Sequence, residues 1–166
     1  KYLKTDYRIA SGMDYTIFDD NVGYIRCKSF LNNTGAGNLD NILLYMQPCR
    51  GLIIDIRNNG GGNVNNAEEL AARFTNEELL VGYIQHKTGT GHDDFSSLQP
   101  QHLKPGKGIR WQKPVIILTN RSVYSAANEF VKYMKCCPKA KIVGDKTGGG
   151  AGLPFSSELP NGWSIR

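Results

Sequence analysis

The sequence has no apolar run approaching the ~20 residues that a membrane-crossing helix needs. It also has no basic, apolar, small-residue leader of the export type. Its four cysteines, Cys27, Cys49, Cys136 and Cys137, form no C-x-x-C pair. Adjacent Cys136 and Cys137 cannot both face one metal from a regular helix or strand, which argues against a zinc site. The cysteines read as small buried hydrophobes, and a Cys27–Cys49 disulfide stays open on spacing alone. No fixed-period repeat or low-complexity tract is visible. The G-x-S-x-G elbow of many hydrolases is missing. So is a P-loop, because no Gly-Lys-Ser/Thr follows a glycine run.

What remains is ordinary for a soluble domain: 40% apolar and 21% charged residues in a chain of 166. A domain of that size removes roughly 70% of its unfolded surface from water. The net charge of +5 is scattered. Its densest cluster, Lys132, Lys135, Lys139 and Lys141, is interleaved only by Tyr133, too little for the aromatic row of a nucleic-acid stacking platform. It reads as a solvated helix end and strand, and no nucleic-acid partner is expected. The chain opens with Lys1 and ends at Arg166 in a strand-like stretch, so residues 1–166 are expected to be a single core domain cut from a longer protein at both ends.

Residues 1–13 read as polar and irregular. Residues 15–18, the turn Asp19-Asp20-Asn21 and residues 22–27 read as a hairpin. Leu39, Ile42, Leu43 and Met46 have helical spacing over 38–47, and Pro48 ends that helix. Residues 51–56 form a nearly continuous apolar run, which suits a strand buried on both faces of a parallel sheet. A helix over 64–74 follows, with Asn63 or Asn65 as N-cap. A strand is predicted over 79–86, a long loop over 88–112, and a second fully buried strand over 114–119. Then come a helix over 125–135, a strand at 141–143, a glycine-rich loop over 145–153 and a hairpin around Pro160-Asn161-Gly162. Strand, helix, strand, twice over, predicts an α/β fold with a mostly parallel sheet.

In such sheets ligands sit where strand ends lead into helices. Two of these junctions stand out. In the first, Asp55-Ile56-Arg57-Asn58-Asn59-Gly60-Gly61-Gly62, three glycines let the backbone approach a ligand and expose its N–H groups as an anion or oxyanion pocket. The competing reading is a flexible turn. A dinucleotide fingerprint fits poorly, since Asn65 stands where its third glycine belongs. In the second, Leu118 to Glu129, Ser125 stands at a helix start after a buried strand. A serine there is either an N-cap or a nucleophile favoured by the positive helix end.

Taken together, the two junctions resemble the tail-specific, or C-terminal processing, serine peptidases. That family carries D-[LI]-R-x-N-x-G-G, matched by Asp55 to Gly62. It then carries P-V-x-V-L-x-N-x-x-S/T-x-S-A-S-E, matched by Pro114 to Asn128 with departures at Val123 and Asn128. Its V-G-x-x-T-x-G is matched by Val143 to Gly149, and its first strand by Gly23-Tyr24-Ile25-Arg26 with Phe30. The resemblance covers about residues 22–162. It implies a ClpP/crotonase-like core of β-β-α units, with Ser125 as nucleophile and the N–H groups of Gly61 and Ala126 as oxyanion donors. It further implies a peptide or protein substrate bound extended and presenting its C-terminus, no cofactor and no metal, and a place outside the cytoplasm.

The sequence departs from the lysine-using members of that family. Their base falls on Gly150, so a Ser–Lys dyad is not supported and the chain resembles the tricorn-core branch. That branch takes a histidine from upstream of the first strand and a glutamate from near the domain's end. Lys146 matches a different position. His86, His92 and His102 all fall outside the motifs, although Asp93 could orient His92. Glu129, one turn into the helix, reads as a complement to the helix dipole. Sequons stand at Asn32 and Asn120, the second beside Ser125. The rival readings are a catalytically silent peptide- or ligand-binding domain of the same fold and nucleotide binding through the glycine loops.

Overall fold

The computed structural model describes residues 6–32, 35–152, 154 and 156–165. Its main sheet has six strands: β1 (Arg8–Ala10), β2 (Met13–Ile17), β3 (Val22–Cys27), β4 (Gly51–Asp55), β7 (Val115–Thr119) and β8 (Ala140–Gly144), in that order across the sheet. β1, β2 and β3 are antiparallel; β3, β4, β7 and β8 run parallel. The sheet is therefore largely parallel, as the two apolar runs predict, but β7 is not fully buried as expected: Ile116, on the face opposite Val115 and Ile117, is 37% exposed. The helices are α1 (Ala36–Met46), α2 (Val64–Ala71), which tightens into a 3-10 turn at Ala72–Phe74, and α3 (Ala126–Cys136). A separate hairpin pairs β5 (Leu79–Ile84) with β6 (Gln99–Leu103), and a short one pairs β9 (Ser157–Glu158) with β10 (Ser164–Ile165).

The parallel order follows from composition. Leu52, Ile54 and Ile56 on β4 and its end, and Val115 and Ile117 on β7, are all buried. They meet Leu39, Ile42, Leu43 and Met46 from α1, whose spacing of three and four puts them on one helix face. α3 supplies Ala127, Phe130, Val131 and Met134 in the same way. Phe30, beyond β3, packs on Phe130 with ring centroids 5.6 Å apart, tying the end of β3 to α3. The Asn63 side chain accepts a hydrogen bond from the Asn65 N–H at 2.9 Å, so Asn63 caps α2.

Two predicted stretches differ from the structure. The expected irregular region at 1–13 contains β1 and the start of β2, and 88–112 contains β6. β6 reads Gln-Pro-Gln-His-Leu with only Leu103 buried, so it shows no apolar alternation. It is a strand because β5 pairs with it, and Pro100 is tolerated in a two-stranded ribbon, where each strand has an open edge. Cys27, Cys49, Cys136 and Cys137 are all free; three are buried and Cys136 is half-buried. Burial pushes the Cys27 thiol up to about 12, which leaves it an inert core residue. Leu153 and Arg166, the ends of the predicted tail hairpin, lie outside the described residues; its β9–β10 ladder and turn do form. No helix among the described residues is long and apolar enough to cross a membrane.

Candidate active site

The loop after β4 is held open by its own side chains. Asp55 is buried at the strand end, where its Oδ1 accepts from the Arg57 N–H at 3.0 Å and from Arg57 Nε at 2.9 Å. Its Oδ2 accepts from Arg57 Nη2 at 2.6 Å and from the Tyr24 hydroxyl at 2.8 Å. Burial alone would raise this carboxyl, but the Arg57 and Tyr24 donors outweigh it and hold Asp55 below the usual carboxylate range. The Tyr24 hydroxyl is pushed up, first by burial and then by its bond to Asp55.

Beyond this anchor, Asn58 turns the chain with φ 65° and makes a reciprocal amide pair with Asn120. Its N–H donates to Asn120 Oδ1 at 3.0 Å, and Asn120 Nδ2 donates to Asn58 Oδ1 at 2.8 Å. The glycine loop is thereby stapled to the loop after β7, and the Asn120 sequon is committed to that staple. Gly61 then passes so close to the second junction that a Cβ on it would lie 2.8 Å from both Ser125 Cβ and the Tyr124 carbonyl oxygen. With φ 105° it has a backbone that favours glycine on both counts. Its carbonyl accepts from the Phe30 N–H at 2.9 Å and from Ser29 Oγ at 3.2 Å, and its N–H donates to Asn59 Oδ1 at 2.9 Å.

Ser125 precedes α3 with φ 56° and ψ −127°, a region that non-glycine residues rarely occupy. Its side chain makes no cap bond, so the N-cap reading does not explain the serine. The Ser125 N–H donates to the Gly149 carbonyl at 2.9 Å, and Gly148 N–H donates to the Val123 carbonyl at 2.8 Å, which seats the second glycine loop on the elbow. The Ala126 N–H, first of α3, has no acceptor among the described residues, and neither do the Gly60 and Gly62 N–H groups.

These pieces enclose a cleft of about 810 Å³ lined by Ser29, Leu31, Gly60 to Gly62, Tyr124, Ser125, Gly150, Gly152 and Pro154. Among the described residues none of its walls carries a charge or an imidazole. Lys146 lines a different cavity of about 260 Å³, with Lys132 and Thr147. His86, His92 and His102 belong to the β5–β6 hairpin and its loop, outside the cleft; His92 sits in an exposed turn, and His102 approaches Glu78 at 3.9 Å. The departures at Val123 and Asn128 have structural counterparts: Val123 is fully buried, and Asn128 accepts from Thr147 Oγ1 at 2.7 Å. Glu129, in the first turn of α3, also pairs with Lys132.

At Gly150, the position that the resemblance gives to a lysine base, φ is 79° and a Cβ would run into the Tyr124 ring. Sequence reasoning missed Tyr124, Ser29 and the role of Asn59. Tyr124 and Ser29 carry no periodic or motif signal; Asn59 is the asparagine of the first motif.

Nearly the whole chain is similar to known proteins. The model of peptidase family S41 matches residues 21–166. A Parabacteroides merdae protein of known crystal structure is 50% identical, with a TM-score of 0.91 over 96% of this chain and 51% of its own. A Staphylococcus epidermidis protein named as a CtpA-like serine protease is 31% identical over 88% of this chain and 28% of its own length. The chloroplastic C-terminal processing peptidase of Tetradesmus obliquus is 28% identical over 87% and 29%. The fold alone is shared with mature CPAF, at 18% identity and a TM-score of 0.71. The chain spans less than a third of the length of these two curated relatives. With a family match over nearly all of its length and the glycine-loop and serine junctions in their motif positions, this chain belongs to peptidase family S41.

Proposed function

We propose that the chain is a serine peptidase core in which Ser125 is acylated by a peptide carbonyl and then released by water. The observation that carries this reading is the Ser125 backbone: a strained turn holds its hydroxyl in the cleft, and that hydroxyl does no capping. In the acylation step Ser125 Oγ bonds to the carbonyl carbon while its proton passes to a base. Collapse of the tetrahedral species breaks the C–N bond, and the leaving amine takes that proton. Water repeats the sequence on the ester and frees the acid.

The developing oxyanion is held by the Ala126 and Gly61 N–H groups. Ala126 N–H is free to donate, whereas Gly61 N–H is shared with Asn59 Oδ1. That engagement favours a second assignment for this half of the hole, in which the unpartnered Gly62 N–H donates instead. The structure of the Ser125 phosphonyl adduct separates them by which nitrogen lies within hydrogen-bond distance of the phosphonyl oxygen.

The base and the group that orients it come from outside the residues described, with imidazole the side chain most often used. Residues 1–166 are then one core domain that depends on further segments of a longer protein. The isolated chain is expected to hydrolyse peptides very weakly or not at all. The substrate is an extended peptide presenting its C-terminus, and the protein works outside the cytoplasm. The names of the processing-protease relatives support a substrate cut near its C-terminus, and the chloroplastic place of one of them supports the second statement.

The test is fluorophosphonate labelling of the native gene product that carries this chain, beside Ser125→Ala, read by intact mass. A mass shift in wild type alone establishes an activated Ser125. No shift in either, with both folded, leaves a silent peptide-binding relative.

A further inference from the structure

Asn59 is a fully buried polar residue beside the cleft, yet it does not line it. Its carboxamide has both ends engaged. Nδ2 donates to the Cys27 carbonyl at 3.0 Å, at the end of β3, and Oδ1 accepts the Gly61 N–H at 2.9 Å. Its backbone carbonyl accepts the Tyr124 N–H at 3.1 Å, one residue before the nucleophile. One residue thus joins the central sheet, the glycine loop and the serine elbow. The bond to Cys27 also fixes which way the amide faces, so the oxygen can only meet Gly61.

We propose that Asn59 is a positioning residue that sets the distance between the glycine loop's N–H groups and Ser125. The inference rests on the Ser125 reading above. Gly61 passes Ser125 within van der Waals reach, so any slack in the loop moves the donors relative to the reacting oxygen. The reciprocal Asn58–Asn120 pair also spans the two loops, but it is exposed and in competition with water. The buried Asn59 backbone carbonyl is a second tie between them, and its side chain holds Gly61 against the end of β3 where water does not reach. A misplacement of 1 Å at such a site costs about 100-fold in rate.

The experiment compares wild type, Asn59→Leu and Asn59→Asp in the native gene product. It reads the fluorophosphonate labelling rate and the protection constant of phenylboronic acid, which forms a tetrahedral adduct with a serine hydroxyl. The apparent protection constant weakens only as the inverse of the folded fraction, so a variant that remains mostly native leaves it nearly unchanged. Asn59→Leu is expected to label about 100-fold more slowly and to bind phenylboronate about 10-fold more weakly. Asn59→Asp keeps the acceptor for Gly61 but loses the donor to Cys27 and adds a negative charge near the oxyanion. It is expected to lose at least as much, and it decides the matter if the leucine variant does not fold. A folded variant with the wild-type protection constant overturns the proposal. Absence of labelling in wild type itself overturns the Ser125 reading, and this inference with it.

Discussion

Two glycine-rich loops meet at Ser125, and they use glycine for different purposes. At Gly61 the missing Cβ would collide with the backbone and Cβ of the elbow, atoms that cannot move without carrying the site with them. At Gly150 the missing Cβ would meet the Tyr124 ring, which is half exposed and free to swing. The first loop is tied by Asn59, Ser29 and Phe30, while the second hangs on the elbow by its own backbone. The lesson is that one loop sets the geometry of the nucleophile and the other shapes the wall beside it, so the same substitution has unequal consequences in the two places.

The largest effect is expected for Gly61→Ala, with about 3 kcal/mol of lost stability in urea denaturation from strain and overpacking together, and no detectable Ser125 labelling. Asp55→Asn loosens the anchor under the first loop and is expected to cost about 1–2 kcal/mol. Its pH signature sharpens the comparison. Because the folded carboxyl is held below its unfolded value, its stabilisation is complete above about pH 4 and is lost as pH falls through the folded pKa. Urea midpoints measured from neutral pH downward should therefore drop more steeply for wild type than for Asp55→Asn over that acid range. Gly150→Ala is expected to cost only about 1 kcal/mol, the price of a left-handed backbone, and because the Tyr124 ring swings aside, the same loss is expected in a Tyr124→Ala background. If Gly150→Ala proves as damaging as Gly61→Ala, the two loops are equally rigid and the comparison fails. The smallest change is Asn120→Ala, about 0.5–1 kcal/mol, because its amide pair with Asn58 is exposed; a thermal melt reads it.

The parts of the molecule written in local pattern were legible beforehand. The run around Ile53 and Ile54 gave β4, the spacing of Leu39, Ile42, Leu43 and Met46 gave α1, and Asn63 gave the cap of α2. β6 was not legible, because Gln99 to His102 owe their extended state to a partner strand and not to their own preference. In the cleft, Ser125 and the glycines stood in their motifs, but two facts needed three dimensions. One is that the Gly61 N–H is already bonded; the other is that the Tyr124 ring fills the space beside Gly150. Nothing in a linear pattern says which carbonyl or amide oxygen a glycine N–H will meet, or that the Tyr124 ring folds back over a glycine twenty-six residues away.

The conformation of Ser125 has a consequence for how this protein has been selected. A residue at φ 56° and ψ −127° stores on the order of 1–3 kcal/mol that a glycine would not. Ser125→Gly should therefore be the more heat-resistant molecule, even after allowing for the greater freedom glycine gains when unfolded. The native sequence thus sits below its own stability optimum at one position, and a thermostability screen blind to activity would discard the serine first.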